Sequence, residues 1–166
     1  MMLCSTNIKY SLPRITRRAL ITRQHRITVS SNNDGMKCLT RNGEWTIVSD
    51  YHPIHEIKHY PTPRELLLSA LGSCTIMTIK TYSESQARNY KIRDINVILE
   101  EIMEVSQHVP KNIEVNIIMK YTGTIDNDTL SQKIKSIADK CPVKRIITGS
   151  NSEFISTKIQ LEKILI

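Results

Sequence analysis

Two of the four cysteines have neighbours that indicate a reactive thiol. Cys74 lies in the apolar stretch LLLSALGSCTIMT, residues 66–78, where a thiol is either an inert core residue or a sulfur held in an apolar pocket. Cys141 directly precedes Pro142 in the stretch ADKCPVKR. Because proline is favoured at the first helical position, this order predicts that Cys141 caps a short helix. The backbone N–H groups at such a cap would stabilise a thiolate.

The settings of these two thiols are complementary, and each suits one half of a reversible disulfide. The sequence alone leaves open whether they touch. The four cysteines are widely scattered and form no Cys-x-x-Cys pair, which argues against a structural disulfide framework. Cys38 falls in a short predicted strand, and we interpret it as inert.

Charge is unevenly distributed along the 166 residues, a length that suits one domain. Residues 1–26 hold six basic side chains and no acidic one, so most of the net charge of +7 lies there and residues 27–166 are nearly neutral. An Arg-, Ser- and Thr-rich, acid-free leader is typical of organelle import peptides. We therefore expect import into a mitochondrion or related organelle matrix, with a frayed basic N-terminus on a cytoplasmic protein as the alternative.

Several functional classes are disfavoured. A neutral body with only 5% aromatic residues argues against a nucleic-acid partner. The longest apolar run is shorter than the roughly 20 residues of a membrane-spanning helix, so we expect no membrane span. No Gly-x-Ser-x-Gly nucleophile elbow of a hydrolase is present. His52, His55 and His59 lie in a proline-containing segment that we interpret as a solvated loop, and we expect no metal ion or other cofactor.

The hydrophobic pattern predicts a single α+β domain over residues 27–166. Three short strands, RITVSS, MKCLT and EWTIVSD, form an N-terminal β-meander. The Pro61-Thr62-Pro63 sequence predicts a helix from near Pro63 to about Asn89. Two further strands over residues 95–105 and 113–121, a helix capped by Asp128, the short helix after Cys141 and a final strand over residues 154–164 complete the order.

The long predicted helix is apolar nearly all round, which is typical of a helix enclosed by other elements. One of its faces has i, i+3, i+4 spacing and consists of Leu67, Ala70, Leu71, Cys74, Met77 and Thr78.

The segments PTPRELLLSALGSCTIMT and ADKCPVKR closely resemble the two cysteine motifs of the OsmC/Ohr family, the osmotically inducible protein C and organic hydroperoxide resistance proteins. The matching features are the Pro-x-Glu-Leu-Leu start, the small-residue turn before Cys74 and the Cys-Pro pair. The resemblance covers about residues 26–166. It implies curved antiparallel sheets wrapped around central helices in an intertwined homodimer, with the sites at the subunit interface.

The resemblance also implies a cysteine-based peroxidase, an oxidoreductase of the peroxiredoxin type. Cys74 would be the peroxidatic thiol, which attacks a fatty or aromatic hydroperoxide, releases an alcohol and becomes a sulfenic acid. Cys141 would resolve this acid to a disulfide, which an external dithiol, in the family often a lipoylated protein, then reduces. The alternative is a redox-inert dimer that binds a small apolar ligand.

The family uses an arginine, oriented by a glutamate, to stabilise the thiolate, because burial alone raises the pKa of a thiol. We match the acid to Glu65 and the arginine to Arg41. Glu65 lies one position out of the register of the hydroperoxide branch, which predicts an altered relay. The other candidate cations are Arg26, Arg64, Lys144 and Arg145.

Overall fold

The computed structural model of the protein describes residues 27–31, 36–42, 44–50, 60–84, 89–104 and 110–164. The predicted leader over residues 1–26, Arg26 included, and the three histidines of the predicted loop lie outside these ranges. Within these ranges, no helix is long and apolar enough to cross a membrane. No group of three metal-ligating side chains is found there either.

The N-terminal strands form the predicted meander. Strand β1 spans Thr28–Ser31, β2 spans Cys38–Arg41 and β3 spans Thr46–Ser49, in the antiparallel order β1-β2-β3. Cys38 lies on the middle strand, opposite Ser31 on one side and Ser49 on the other.

A second sheet contains three longer strands. Strand β4 spans Tyr90–Met103, β5 spans Pro110–Gly123 and β6 spans Ile155–Lys163, with β5 in the centre. The pair β4 and β5 is antiparallel, whereas β6 runs parallel to β5. A parallel pairing needs a long crossover, which the intervening helices supply. Alternate residues of β5 are buried: Ile113, Val115, Ile117, Met119 and Tyr121.

Three helices share the core with these strands. Helix α1 spans Pro63–Glu84, α2 spans Asn127–Ala138 and α3 spans Pro142–Thr148, and a single 3-10 turn over Ser152–Phe154 leads into β6. Helix α1 packs against β4, α2 and α3, while α2 packs against β6. The core cluster draws on all three helices and on the second sheet.

A capping box fixes the start of α1. The backbone N–H and the hydroxyl of Thr62 donate to Glu65 Oε2 at 2.8 and 3.0 Å, and Glu65 N–H donates back to Thr62 Oγ1 at 3.3 Å. With Pro63 as the first helical residue, this confirms the predicted start. The predicted end at Asn89 is wrong, because α1 ends at Glu84 and the chain turns to begin β4 at Tyr90.

The buried face of α1 differs from the predicted one. The buried residues are Leu71, Gly72, Thr75, Ile79 and Ser83. In contrast, Leu67 is 45% exposed and Met77 is 65% exposed. The Gly72-Ser73 pair lies inside the helix, as the predicted helix requires. Helix α1 is apolar on all sides, so its sequence shows no polar face opposite a buried one. The pattern therefore did not identify which residues of α1 are buried.

The cap of α2 was also placed two residues too late. The Asp126 carboxylate accepts the backbone N–H of Thr129 at 2.8 Å, so Asp126 and not Asp128 is the cap. Asp128 lies in the first turn, where its charge favours the positive end of the helix dipole.

Candidate functional site

Helices α1 and α3 bring Cys74 and Cys141 together. Cys74 lies in the middle of α1, and Cys141 is the cap of α3, with Pro142 in the first turn, as predicted. The two helices pack against each other and bring the two free thiols close enough for each to shift the pKa of the other. Since 67 positions separate them in sequence, this contact is a product of the fold.

The two sulfurs differ in their access to solvent. Cys141 is 0% exposed and belongs to the core cluster. Cys74 is only partly buried and packs against the edge of that cluster. A molecule that enters from solvent therefore reaches the Cys74 sulfur first.

The surroundings of Cys141 stabilise a thiolate. Burial is the largest single influence and would raise the pKa of Cys141. Four polar groups around its sulfur outweigh burial and leave the pKa below its ordinary value; they are Lys144 N–H, the Cys74 thiol, the Thr75 hydroxyl and Val143 N–H. The Lys144 nitrogen lies 3.5 Å from Cys141 Sγ, which is the contact expected of a capping side chain.

The surroundings of Cys74 have the opposite effect. Burial raises the pKa of Cys74, and the neighbouring Cys141 sulfur raises it further. Hydrogen bonds from Val143 N–H and the Thr78 hydroxyl oppose this shift without reversing it. When the pair loses one proton, the negative charge therefore rests on Cys141 and the remaining proton on Cys74.

Thr75 is a site residue that the sequence analysis missed. Its side chain is 2% exposed and contacts the Cys141 sulfur. Its single hydroxyl proton serves either that sulfur or the Leu71 carbonyl oxygen, 2.8 Å away. A threonine directly after a cysteine in an apolar run was the available signal, because a buried hydroxyl needs a partner.

The predicted relay residues lie at other places in the fold. Glu65 belongs to the capping box of α1, about 14 Å along the helix axis from Cys74 at 1.5 Å per residue. Arg64 forms a two-pronged ion pair with Glu101 on β4, at 2.9 and 3.2 Å. Arg41 ends β2 and is exposed. A relay through Arg41 and Glu65 therefore stays a prediction.

The candidate cations beside Cys141 direct their charge away from its sulfur. The Lys144 ammonium donates to Asp139 Oδ1 at 2.7 Å and to Thr157 Oγ1 at 2.9 Å. Arg145 is exposed on α3. Lys144 thus acts on Cys141 through its backbone N–H group rather than through its ammonium.

Comparison with known families decides the classification. A model of the family described as OsmC-like protein matches residues 56–155, a segment that includes both thiols. The chain belongs to the OsmC-like protein family. The mixed helix and sheet architecture of this OsmC-like chain confirms the predicted α+β class. The parallel pairing of β6 with β5 departs from the antiparallel sheets that the resemblance implied. A comparison with curated protein sequences found no significant match.

Solved structures of other OsmC-like proteins share this fold. An OsmC-like protein from Mycoplasma pneumoniae superposes with a TM-score of 0.65 at 16% identity, over 87% of this chain and 100% of that one. An OsmC-like protein of unknown function from Vibrio cholerae gives 0.61 at 13% identity, over 86% and 100%. An organic hydroperoxide resistance protein from Elizabethkingia anophelis gives 0.58 at 15% identity, over 87% and 100%.

Proposed function

We propose that this OsmC-like protein is a thiol-dependent peroxidase that reduces organic hydroperoxides through Cys74 and Cys141. The observation that carries the proposal is the pair of interacting thiols, in which Cys74 is only partly buried and Cys141 favours the thiolate. The names of two structural neighbours, the organic hydroperoxide resistance proteins from Elizabethkingia anophelis and Legionella pneumophila, support the substrate class.

In the proposed reaction, the Cys141 thiolate first accepts the proton of the Cys74 thiol. The Cys74 thiolate attacks the distal oxygen of the hydroperoxide, so that an S–O bond forms and the O–O bond breaks. The alkoxide takes the proton from Cys141 and leaves as the alcohol. Cys141 then attacks the sulfenic sulfur, forms the disulfide and expels hydroxide. An external dithiol restores both thiols and is itself oxidised to a disulfide.

The surroundings of Cys74 suit an apolar substrate. Cys74 packs against the apolar core, and Leu71, one turn before it on the same side of the helix, is fully buried in that core, so the thiol borders hydrocarbon. Such a setting favours fatty or aromatic hydroperoxides over hydrogen peroxide. It also limits access of excess oxidant to the sulfenic acid, which protects it from further oxidation.

A second copy of the chain is proposed to cover the exposed apolar side of α1. Leu67 and Met77 on this helix are 45% and 65% exposed. Large exposed apolar areas of this kind mark association surfaces. A homodimer through this side would place Cys74 beside the subunit interface, as the OsmC/Ohr resemblance implies.

The proposal is tested by steady-state peroxide consumption. Cumene hydroperoxide and hydrogen peroxide are each mixed with dihydrolipoate and the parent, Cys74→Ser, Cys141→Ser or Cys38→Ser protein. We expect Cys74→Ser to abolish turnover, Cys141→Ser to reduce it strongly and Cys38→Ser, the matched control, to leave it unchanged. If Cys74→Ser consumes cumene hydroperoxide as fast as the parent, the peroxidase is excluded and the ligand-binding alternative is favoured.

A further inference from the structure

Lys144 is a buried lysine on the helix that Cys141 caps. The residue is only 9% exposed, and lysine is rarely buried to this extent unless its ammonium has partners. Its partners are Asp139 Oδ1 at 2.7 Å and Thr157 Oγ1 at 2.9 Å. Asp139 ends α2 and Thr157 lies on β6, so the Lys144 side chain joins α3 to two other elements.

The ion pair closes the short segment that carries Cys141. Cys141 lies between Asp139 and Lys144 in sequence, so the contact of the two charges makes a small loop around it. A closed loop has fewer conformations than an open one. The hydrogen bond to Thr157 attaches this loop to the second sheet, where Thr157 is paired with the buried Val115 of β5.

The backbone of the same lysine contacts the Cys141 sulfur. The Lys144 N–H group donates to Cys141 Sγ at 3.5 Å. Hydrogen bonds weaken steeply when the donor is misaligned, so a rotation of the first turn of α3 would weaken this contact. The orientation of that turn therefore decides how well the sulfur is solvated by the backbone.

The ammonium suits the task of fixing this orientation. Apolar packing is non-directional, whereas two hydrogen bonds to different elements define a direction. Stability alone does not require an ion pair here, because apolar side chains of similar volume are often as stabilising as a buried pair.

We propose that Lys144 is a positioning residue for Cys141: its ammonium, held by Asp139 and Thr157, keeps the first turn of α3 directed at the Cys141 sulfur. The inference rests on the proposed function, in which Cys141 is both the base and the resolving thiol. It adds to that function a residue that never touches the substrate and acts only through the backbone.

A pH titration of the reduced full chain, followed by the ultraviolet absorbance of thiolates, tests the proposal without any peroxide. Lys144→Met removes the ammonium and keeps a side chain of similar length. The half-exposed Asp139 carboxylate then returns to solvent, so no unpaired charge is buried. We expect the lowest thiolate midpoint, which Cys141→Ser identifies by its loss, to rise by about one pH unit, the effect of losing one hydrogen bond to a charged group.

Two variants separate positioning from the loss of charge. Thr157→Val keeps both charges and removes only the hydroxyl that holds the ammonium, so the midpoint should rise in the same direction but by less. Arg145→Met is the matched control, because it removes a positive charge from the next, exposed position of α3. It should leave the midpoint close to that of the parent.

A lower melting temperature of Lys144→Met with an unchanged midpoint would show a merely structural role and overturn the proposal. Equal shifts in Lys144→Met and Arg145→Met would also overturn it, since charge alone would then act. If Lys144→Met does not fold, Thr157→Val decides, and an unchanged midpoint there counts against positioning. A parent that consumes no cumene hydroperoxide, together with a raised midpoint in Lys144→Met, would exclude the peroxidase and support the positioning.

Discussion

A peroxidatic thiol needs access to solvent and a lowered pKa, and in this protein each property belongs to a different cysteine. Cys74 has access to solvent and Cys141 has the lower pKa. Transfer of one proton from Cys74 to Cys141 would place the negative charge on the more accessible of the two residues. Under the proposed mechanism, Cys141 is therefore the base that activates Cys74 as well as the thiol that resolves it.

The pH dependence of peroxide reduction tests this role of Cys141. In the parent, reaction with cumene hydroperoxide should rise with pH through a midpoint below the ordinary thiol pKa, because the pKa of Cys141 is lowered. In Cys141→Ser, the single-turnover rate should rise only at a higher midpoint, since burial raises the pKa of Cys74. Equal midpoints in single-turnover measurements on the two proteins would contradict the proton transfer.

The Thr75→Val variant should have a pH midpoint between those of the parent and Cys141→Ser. Valine keeps the volume of the side chain but removes the hydroxyl that contacts the Cys141 sulfur. We expect the midpoint of the pH dependence of the reaction with cumene hydroperoxide to rise above that of the parent, but by less than in Cys141→Ser. The neighbouring Thr78→Val variant is the comparison, because the Thr78 hydroxyl stabilises the Cys74 thiolate instead.

At the scale of elements, the contact between α1 and β4 sets the orientation of the helix that carries Cys74. A Cβ atom on Gly72 would lie 2.8 Å from Leu99 Cδ1, closer than normal van der Waals contact. A larger residue at position 72 would require the Leu99 side chain to shift. The contact helps to set which side of α1 faces β4, and therefore the direction in which Cys74 points.

Gly72→Val should therefore destabilise the protein by about 1 to 3 kcal/mol through overpacking. Ser73→Val is the matched control, because it places the same side chain at the next, exposed position of α1. Chemical denaturation gives the free energies of unfolding. In Gly72→Val/Leu99→Ala the two changes should compensate by about 0.5 kcal/mol or more, since they act in the same space. Strict additivity would show that the close approach is absent.

The helix starts that were predicted correctly are each marked by residues next to them in the sequence. Pro142 directly after Cys141 was enough to place a cap, and Pro61-Thr62-Pro63 was enough to place the start of α1. The same stretch contains the Thr62-x-x-Glu65 pattern of a capping box, so a structural task for Glu65 was also readable from the sequence. Asp126 and Asp128 both suit a cap, and propensity alone did not choose between them.

The contacts that make the site are long-range and had no such local signal. Nothing near Cys74 predicts that Thr75 meets Cys141 or that β6 runs parallel to β5. The direction of the Lys144 ammonium depends on Thr157 and Asp139, which the fold alone brings together. The sequence thus indicated that each thiol suits one half of a reversible disulfide. It did not indicate which of the two favours the thiolate.

At the scale of the whole molecule, the exposed apolar side of α1 is the surface that most affects the site. It contains Leu67 and Met77 of the predicted face, which the single chain leaves exposed, whereas Leu71 of that face is buried in the core. Under the proposed homodimer, the sequence pattern and the burial agree, because the second copy encloses that face.

Met77→Glu should convert such a dimer to monomers, since an unpaired carboxylate in an apolar interface is strongly unfavourable. We expect the dissociation constant from analytical ultracentrifugation to rise by about 100-fold, the effect of a change of nearly 3 kcal/mol. Ile146→Glu is the matched control, because Ile146 on α3 is 80% exposed and lies on another element. A parent that sediments as a monomer at all concentrations would contradict the dimer.

The most direct test of the account is the fate of the thiols after a single turnover. The reduced protein receives one equivalent of cumene hydroperoxide without reductant, free thiols are alkylated, and the disulfides are mapped by mass spectrometry. The account predicts one Cys74–Cys141 disulfide and one cumyl alcohol per chain, with Cys38 alkylated. Recovery of Cys74 and Cys141 as alkylated thiols, with the hydroperoxide unconsumed, would contradict it.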